Sequence, residues 1–261
     1  MEVVIVPDKT AGGRLVGGAI EALLSRQPAA VLGVATGSSP RPVYDDLITR
    51  YRAGTLSAGH ARGFQLDEYV GLPANHPESY HAVIAREVTD RLDFAPGAVA
   101  GPDGSSADLP GACAAYERAI AEAGSIDLQL LGIGSDGHIG FNEPVSSLGS
   151  RTRLKTLTEQ TRRDNARFFE GDLDAVPRHV LTQGIGTILT ARHLMLVAWG
   201  TGKANAVARC VEGPVTALVP ASALQLHPHV TVVVDEPAAA QLALADYYRA
   251  TWAAKPAWQG L

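Results

Sequence analysis

The segment Ile126–Pro144 reads IDLQLLGIGSDGHIGFNEP, and it decides the fold. Its first six residues, Ile126–Leu131, are short and mostly apolar and end at glycine, the pattern of a strand buried on both faces. The remainder has no helical apolar stripe, and it contains Gly140 and Pro144. A buried strand opening into a glycine-rich polar loop is how α/β sheets present ligand sites at their carboxyl edge. The run from Gly132 to Gly137 also matches GxGxxG literally. A dinucleotide fingerprint needs a helix directly afterwards, and an acid near the end of a second strand about 20 residues on. Here the helix is missing, and Glu159, at roughly that distance, comes after a polar Thr-rich stretch. The nicotinamide reading fails in context.

Outward from this segment the same alternation recurs. Val3–Val6, Ala30–Ala35, Gly63–Leu66, Leu194–Ala198 and Val230–Val234 read as further buried strands. Helical patterns lie between them at Leu15–Arg26, Val43–Tyr51, Tyr80–Leu92, Ala112–Glu122, Ala204–Val211 and Ala238–Trp252. Strand–helix alternation predicts an α/β, Rossmann-like, largely parallel sheet with helices on both faces. With no repeat, linker or composition shift, residues 1–261 are expected to form a single domain.

Composition narrows the function. Of 261 residues, 46% are hydrophobic and 19% charged, which suits a globular enzyme-sized core. A net charge of -5 with scattered Lys and Arg argues against nucleic-acid or anionic-membrane surfaces, which reward clustered positive charge. No stretch approaches the roughly 20 apolar residues of a membrane span, and the N-terminus lacks a basic n-region. Cys113 and Cys210 show no CxxC spacing and are expected to be buried free thiols of a cytoplasmic protein.

Three strand ends carry polar or glycine-rich segments, and a fourth carries paired acids. Thr36-Gly37-Ser38-Ser39 lies between one strand and a helical pattern, so hydroxyls and free N–H groups could face an anion. An ordinary N-cap turn explains the same residues equally well. Trp199-Gly200-Thr201-Gly202-Lys203 is not a P-loop, yet it presents a cation at a sheet end. Arg167 is a candidate third member of a phosphate clamp, although a solvated helix arginine is the plainer reading. Asp136, His138 and Glu143 lie within eight residues of glycine-rich chain, where a carboxylate could orient a proton-transferring imidazole. Asp67, in the acid pair Asp67-Glu68 and flanked by Leu66 and Tyr69, is a plausible base for a carbon-bound proton. His227-Pro228-His229 lacks further ligands at suitable spacing, so it is read as structural and no metal is expected.

The motifs ATGSSP, LDEYVGLPANHPESY, LLGIGSDGHIGFNEPVSSLGSRTRLKTLT, NARFF, LTQGIGT and SALQLHPH together resemble the glucosamine-6-phosphate deaminase family, in order and at family-like spacing. They span about residue 31 to residue 236. The stretch Gly132–Thr158 is not the pattern of the 6-phosphogluconolactonases that share the fold. The resemblance implies conversion of an amino-sugar phosphate to fructose 6-phosphate and ammonia, without a cofactor, as a step in amino-sugar catabolism. It implies that Asp67 moves a proton from C2 to C1. It implies that Asp136, His138 and Glu143 open the sugar ring, with His138 transferring the proton. The Thr36, Gly37, Ser38 and Ser39 loop, Arg167 and Lys203 correspond to sugar- and phosphate-binding positions. Some members are homo-hexamers activated by N-acetylglucosamine 6-phosphate between subunits, and Ser146, Arg153, Lys155 and Thr156 resemble that effector site. Two other readings share the fold: a sugar-phosphate-sensing regulator, and a lactonase or isomerase. The first would carry a DNA-binding helix-turn-helix, for which no room is expected before the first strand. The Asp136–Glu143 loop argues against the second.

Overall fold

The computed structural model describes residues 1–73 and 75–261. Its ten strands are β1 (Glu2–Val6), β2 (Val31–Val34), β3 (Arg62–Gln65), β4 (Asp67–Tyr69), β5 (Val99–Ala100), β6 (Leu128–Leu131), β7 (Arg153–Thr156), β8 (His179–Thr182), β9 (His193–Ala198) and β10 (Val230–Asp235). Seven of them pair in the order β1-β10-β9-β6-β2-β3-β5, every pair parallel. Val232 and Val234 of β10 enter one apolar cluster and Val233 the other, so both faces of the sheet are covered. Burial on both faces is why most of these strands read as predominantly apolar runs.

Helices fill both layers. α1 (Lys9–Arg26) and α2 (Arg41–Arg52) supply Val16, Ile20, Val43 and Leu47 to one face, where α3 (Tyr80–Glu87) adds Ile84. α4 (Leu109–Glu122) contributes Tyr116 and Ile120 to the other. Beyond α5 (Glu159–Ala166) and α6 (Ile185–Ile188), that second layer is completed by α7 (Ala204–Val211) and α8 (Glu236–Ala239). α9 (Ala245–Ala253) comes last, with Trp252 against the first cluster. α1 begins six residues before the expected helix, because Asp8 caps it by accepting from Ala11 N. Its glycines let α2 come close: a Cβ on Gly13 would stand 2.3 Å from the Pro42 carbonyl oxygen.

Two expected helices are shorter than their patterns. The Tyr80–Leu92 helix stops at Glu87, and a 3₁₀ turn covers Thr89–Arg91 after Val88 leaves helical geometry at φ -130°. The Ala238–Trp252 helix is two helices, because the Glu212 carboxylate accepts from the N–H groups of Ala243 and Leu244 and holds the break. A second sheet has no counterpart in the sequence reading. β4, β8 and β7 form an antiparallel ribbon in which Asp67 and Arg153 both register with Thr182.

The strand order locates the ligand edge. After β2 the chain builds outward through β3 and β5, and from β6 it builds the opposite way through β9 and β10. The neighbours β2 and β6 are therefore the point where the order reverses, and the crevice beyond their carboxyl ends is the expected ligand position. Thr36–Ser39 leaves β2 there, and Gly132–Pro144 leaves β6. No helix among the described residues is long and apolar enough to cross a membrane. Cys113 and Cys210 are free and buried, and burial pushes the Cys210 thiol up to about 12.

Candidate active site

A cavity of about 250 Å³ opens at this reversal point. Its walls include Thr36, Gly37 and Ser38 after β2, Asp67 and Tyr69 of β4, the glycine-rich turn from Gly132 with His138, and Arg167 with Lys203. Gly37 holds φ +97°, so the loop backbone faces the cavity in a conformation that L side chains rarely adopt. Lys203 is half-buried, and its ammonium donates to Ile133 O at 2.7 Å. Burial lowers the Lys203 ammonium below its ordinary value, and the neighbouring positive charge of Arg167 lowers it further. Arg167 ends α5, is exposed, and places its guanidinium 4.8 Å from the centre of the Phe168 ring. Two cations repelling each other beside a loop of hydroxyls and N–H groups make a place for an anion.

Ser39 stands beside the cavity residue Gly132, whose added Cβ would lie 3.5 Å from the serine Oγ. It does not line the cavity; its carbonyl accepts from Trp199 Nε1 at 2.7 Å, tying the loop after β2 to the Trp199–Lys203 turn.

Asp67 is the buried acid of the site, 6% exposed. Among the described residues no cation pairs with it. Burial lifts its carboxyl well above the usual carboxylate range, and the adjacent Glu68 charge adds to the lift. Across from it the β6 loop comes close: a Cβ on Gly140 would lie 3.5 Å from Asp67 Oδ2 and 3.0 Å from Thr182 Oγ1. Gly140, at φ +54°, is what lets the loop approach. In the same loop His138 Nδ1 stands 2.7 Å from Asp136 Oδ1, and the His138 amide donates to that oxygen at 3.1 Å. Among the described residues Nδ1 has no partner that meets hydrogen-bond geometry, so this is a close ion-pair contact. Burial would raise Asp136, but the imidazole together with the amides of His138 and Asp136 outweighs it and holds this carboxyl below its usual value. With Nδ1 turned to Asp136, Nε2 is the nitrogen that can serve a ligand.

Glu143 does not join that pair as the sequence suggested. Its Oε1 accepts from Thr161 Oγ1 and, at 3.2 Å, from Thr158 Oγ1. The buried carboxylate thereby fastens the loop to the start of α5, the helix that ends at Arg167.

Sequence reasoning found Tyr69 of the aromatic wall and missed the rest. Tyr69, Tyr80, Phe141 and Phe169 pack on one another in the lining of the cavity that holds Asp67, with Tyr80 and Phe141 stacked at 6.0 Å and 5°. Asn165 Nδ2 donates to Tyr69 OH at 2.9 Å and links α5 to β4. The signals were present in HPESY and NARFF, but single aromatics carry no address until the fold gathers them.

The four residues read as an effector site are only partly gathered. Arg153 and Lys155 share one face of β7, whereas Thr156 lies on the other, its hydroxyl 3.3 Å from His179 Nδ1. Arg153 donates to Asn142 Oδ1 at 2.8 Å, and Ser146 is buried with an Oγ that has no partner among the described residues. The histidines behave as structural groups. His227 contacts the carbonyls of Ala191 and His229 at 2.8 and 2.9 Å, and His193 stacks on His229 at 3.6 Å. Among the described residues no three His, Cys, Asp or Glu side chains are grouped to hold a metal.

A doubly wound sheet, an anion cradle at its reversal point and a carboxylate facing an imidazole loop define an enzyme of phosphorylated small molecules. The chain belongs to the glucosamine-6-phosphate isomerase and 6-phosphogluconolactonase family, whose model matches residues 10–233. It is 65% identical to a glucosamine-6-phosphate deaminase of Streptomyces avermitilis and 64% identical to one of Mycolicibacterium smegmatis, each over the full length of both chains. Among solved structures, a monomeric glucosamine-6-phosphate deaminase superposes with a TM-score of 0.90 at 40% identity, covering 92% of this chain and all of that one. A 6-phosphogluconolactonase from Thermotoga maritima superposes at 0.71 with 20% identity, covering 90% of this chain and 98% of its own, a likeness of fold alone.

Proposed function

We infer that this chain is a glucosamine-6-phosphate deaminase, converting glucosamine 6-phosphate and water to fructose 6-phosphate and ammonia. The observation that carries the reading is one cavity lined by the buried Asp67, by His138 with its Asp136 contact, and by the cations Arg167 and Lys203.

The chemistry derives from that arrangement. The phosphate lies against Thr36–Ser38, Arg167 and Lys203, which fixes the sugar end to end and converts remote binding into alignment of C1 and C2. His138, oriented by Asp136, passes a proton from the anomeric hydroxyl to the ring oxygen, and the C1–O5 bond breaks to give the open aldehyde. Asp67 then takes the C2 proton. The electron pair of that C–H bond forms the C1–C2 double bond while the C1 oxygen takes a proton from the substrate's C2 ammonium group, which is left as a neutral amine. Return of the proton to C1 leaves a C2 iminium, water adds at C2, and ammonia departs as the ketone forms. A base with raised proton affinity suits both transfers, since it is stronger toward a carbon acid than an exposed aspartate.

Substitution of the clamp separates binding from chemistry. Arg167→Ala is expected to raise KM for glucosamine 6-phosphate about 10- to 100-fold, with a smaller loss in kcat, because phosphate contacts are made in ground and transition states alike. Steady-state kinetics with wild-type and variant decide it. An unchanged KM would place the phosphate elsewhere.

Control by N-acetylglucosamine 6-phosphate is a finer part of the same reading. The buried hydroxyl of Ser146, without a partner among the described residues, and the cations of Arg153 and Lys155 on one strand face support it. A dose series of that ligand at low substrate is expected to raise the rate, and a flat response rejects the site.

A further inference from the structure

Asn165 and Tyr69 both line the cavity, and the deamination chemistry leaves both unused. Asn165 stands two residues before Arg167, near the end of α5, and Tyr69 stands two residues after Asp67 on β4. Residues two apart on a strand share a face, so Asp67 and Tyr69 leave β4 on the same side. Asn165 Nδ2 donates to Tyr69 OH at 2.9 Å. Tyr80 OH, from α3, donates to the same oxygen at 3.3 Å, so three elements meet at one buried phenol.

The other polar ties of α5 run elsewhere. Thr158 and Thr161, at its start, hold Glu143 of the β6 loop. Arg162 donates to the carbonyls of Leu173 at 2.5 Å and Val176 at 3.3 Å, in the chain that follows the helix. Among the described residues, the Asn165–Tyr69 bond is therefore the side-chain hydrogen bond joining the helix that ends at Arg167 to the strand of Asp67. Apolar packing brings the same elements together, since Ala166 and Phe169 share a cluster with Tyr69. Such packing is non-directional, whereas a hydrogen bond fixes one geometry.

That geometry bears on the reaction. A substrate of fixed length must reach from its phosphate at Arg167 to its C2 proton at Asp67. The placing of α5 against β4 then decides whether the carboxylate lies in line with the C–H bond, and a misplacement of about 1 Å can cost roughly 100-fold in rate. We propose that Asn165 and Tyr69 are positioning residues for Asp67: their hydrogen bond fixes the phosphate-binding end of α5 against the strand that carries the base. The proposal rests on the deaminase reading, with Arg167 on the phosphate and Asp67 as the base.

The test is steady-state kinetics of Tyr69→Phe, Asn165→Ala and the double variant with glucosamine 6-phosphate, with and without deuterium at C2. Competitive inhibition by inorganic phosphate is measured alongside. Tyr69→Phe keeps the ring and its apolar contacts and removes the hydroxyl. Asn165→Ala removes the donor from a half-buried helix position and serves if the phenylalanine variant does not fold. In each single variant kcat is expected to fall about tenfold or more, with KM and the inhibition constant of phosphate within about threefold of wild type. The deuterium isotope effect on kcat should be at least as large as in wild type, because proton removal by a misplaced base is the step that slows. The double variant should be little worse than either single one, since both substitutions remove the same bond. A bond with a structural role alone would lower the unfolding temperature and leave kcat and the isotope effect unmoved. A kcat within about twofold of wild type in the single variants overturns the proposal. So does a loss carried by KM and phosphate affinity, an isotope effect smaller than that of wild type, or two losses that multiply in the double variant. If the wild-type protein releases no ammonia, the deaminase reading fails and the positioning role falls with it. Turnover by wild type with unchanged kcat in the variants rejects the positioning role alone.

Discussion

Asp67→Asn is expected to cut turnover of glucosamine 6-phosphate by about 10³- to 10⁴-fold while leaving KM within a few-fold of wild type. The amide keeps the shape of the side chain but cannot take a proton from C2. Loss confined to kcat is the signature of a group that acts in the transition state. The same substitution should make the protein more stable near neutral pH. Burial raises the Asp67 carboxyl in the folded chain, so its ionisation opposes folding at every pH above the unfolded value. The stability gained by Asp67→Asn therefore grows as pH rises from about 4 and levels off above the folded value. Thermal unfolding of the two proteins from pH 4 to 8 measures it. In the wild type, kcat/KM should fall on the acid side with a limb above the ordinary aspartate range, because the free enzyme must hold Asp67 ionised to react.

The second large effect concerns ring opening. His138→Gln is expected to lower kcat/KM by about 10²- to 10³-fold, the usual contribution of a positioned general acid–base group. Asp136→Asn should cost a comparable amount. It keeps a contact to the ring but no longer holds Nδ1 in the tautomer that leaves Nε2 to accept a proton. Because the two residues act as one unit, the double variant should be little worse than either single one. Steady-state kinetics of the three proteins give the answer. Full additivity of the two losses would mean that the residues act independently and that the 2.7 Å contact has no catalytic meaning.

How much of this was legible depends on which forces write themselves into neighbouring residues. The central sheet was readable because its strands are buried on both faces, so Leu194–Ala198 is a continuous apolar run and Val230–Val234 is interrupted only by Thr231. The antiparallel ribbon was not. β7 is four residues, RLKT, alternately half-buried and exposed, and β4 is the three residues DEY, whose burial comes from distant segments. The same reason limited the site. Asp67 could be picked out as an acid at a strand end. Its neighbours Gly140 and Thr182 lie 73 and 115 residues away along the chain. Glu143 was grouped with His138 on proximity in sequence, but its hydrogen bonds run to Thr158 and Thr161 on a separate element. Ser39 belonged to a loop of ligand-facing residues, and only the fold shows its carbonyl engaged by Trp199. Types of chemistry were visible in the residues, whereas the division of labour among them needed tertiary contacts.

The most direct test of the central claim is to incubate the purified protein with glucosamine 6-phosphate and, in parallel, with 6-phosphogluconolactone. Ammonia, fructose 6-phosphate and lactone hydrolysis would each be quantified. Ammonia and fructose 6-phosphate in equal amounts, with no lactone hydrolysis above background, is the predicted result. Tight sugar-phosphate binding without ammonia, or turnover of the lactone instead, would contradict it.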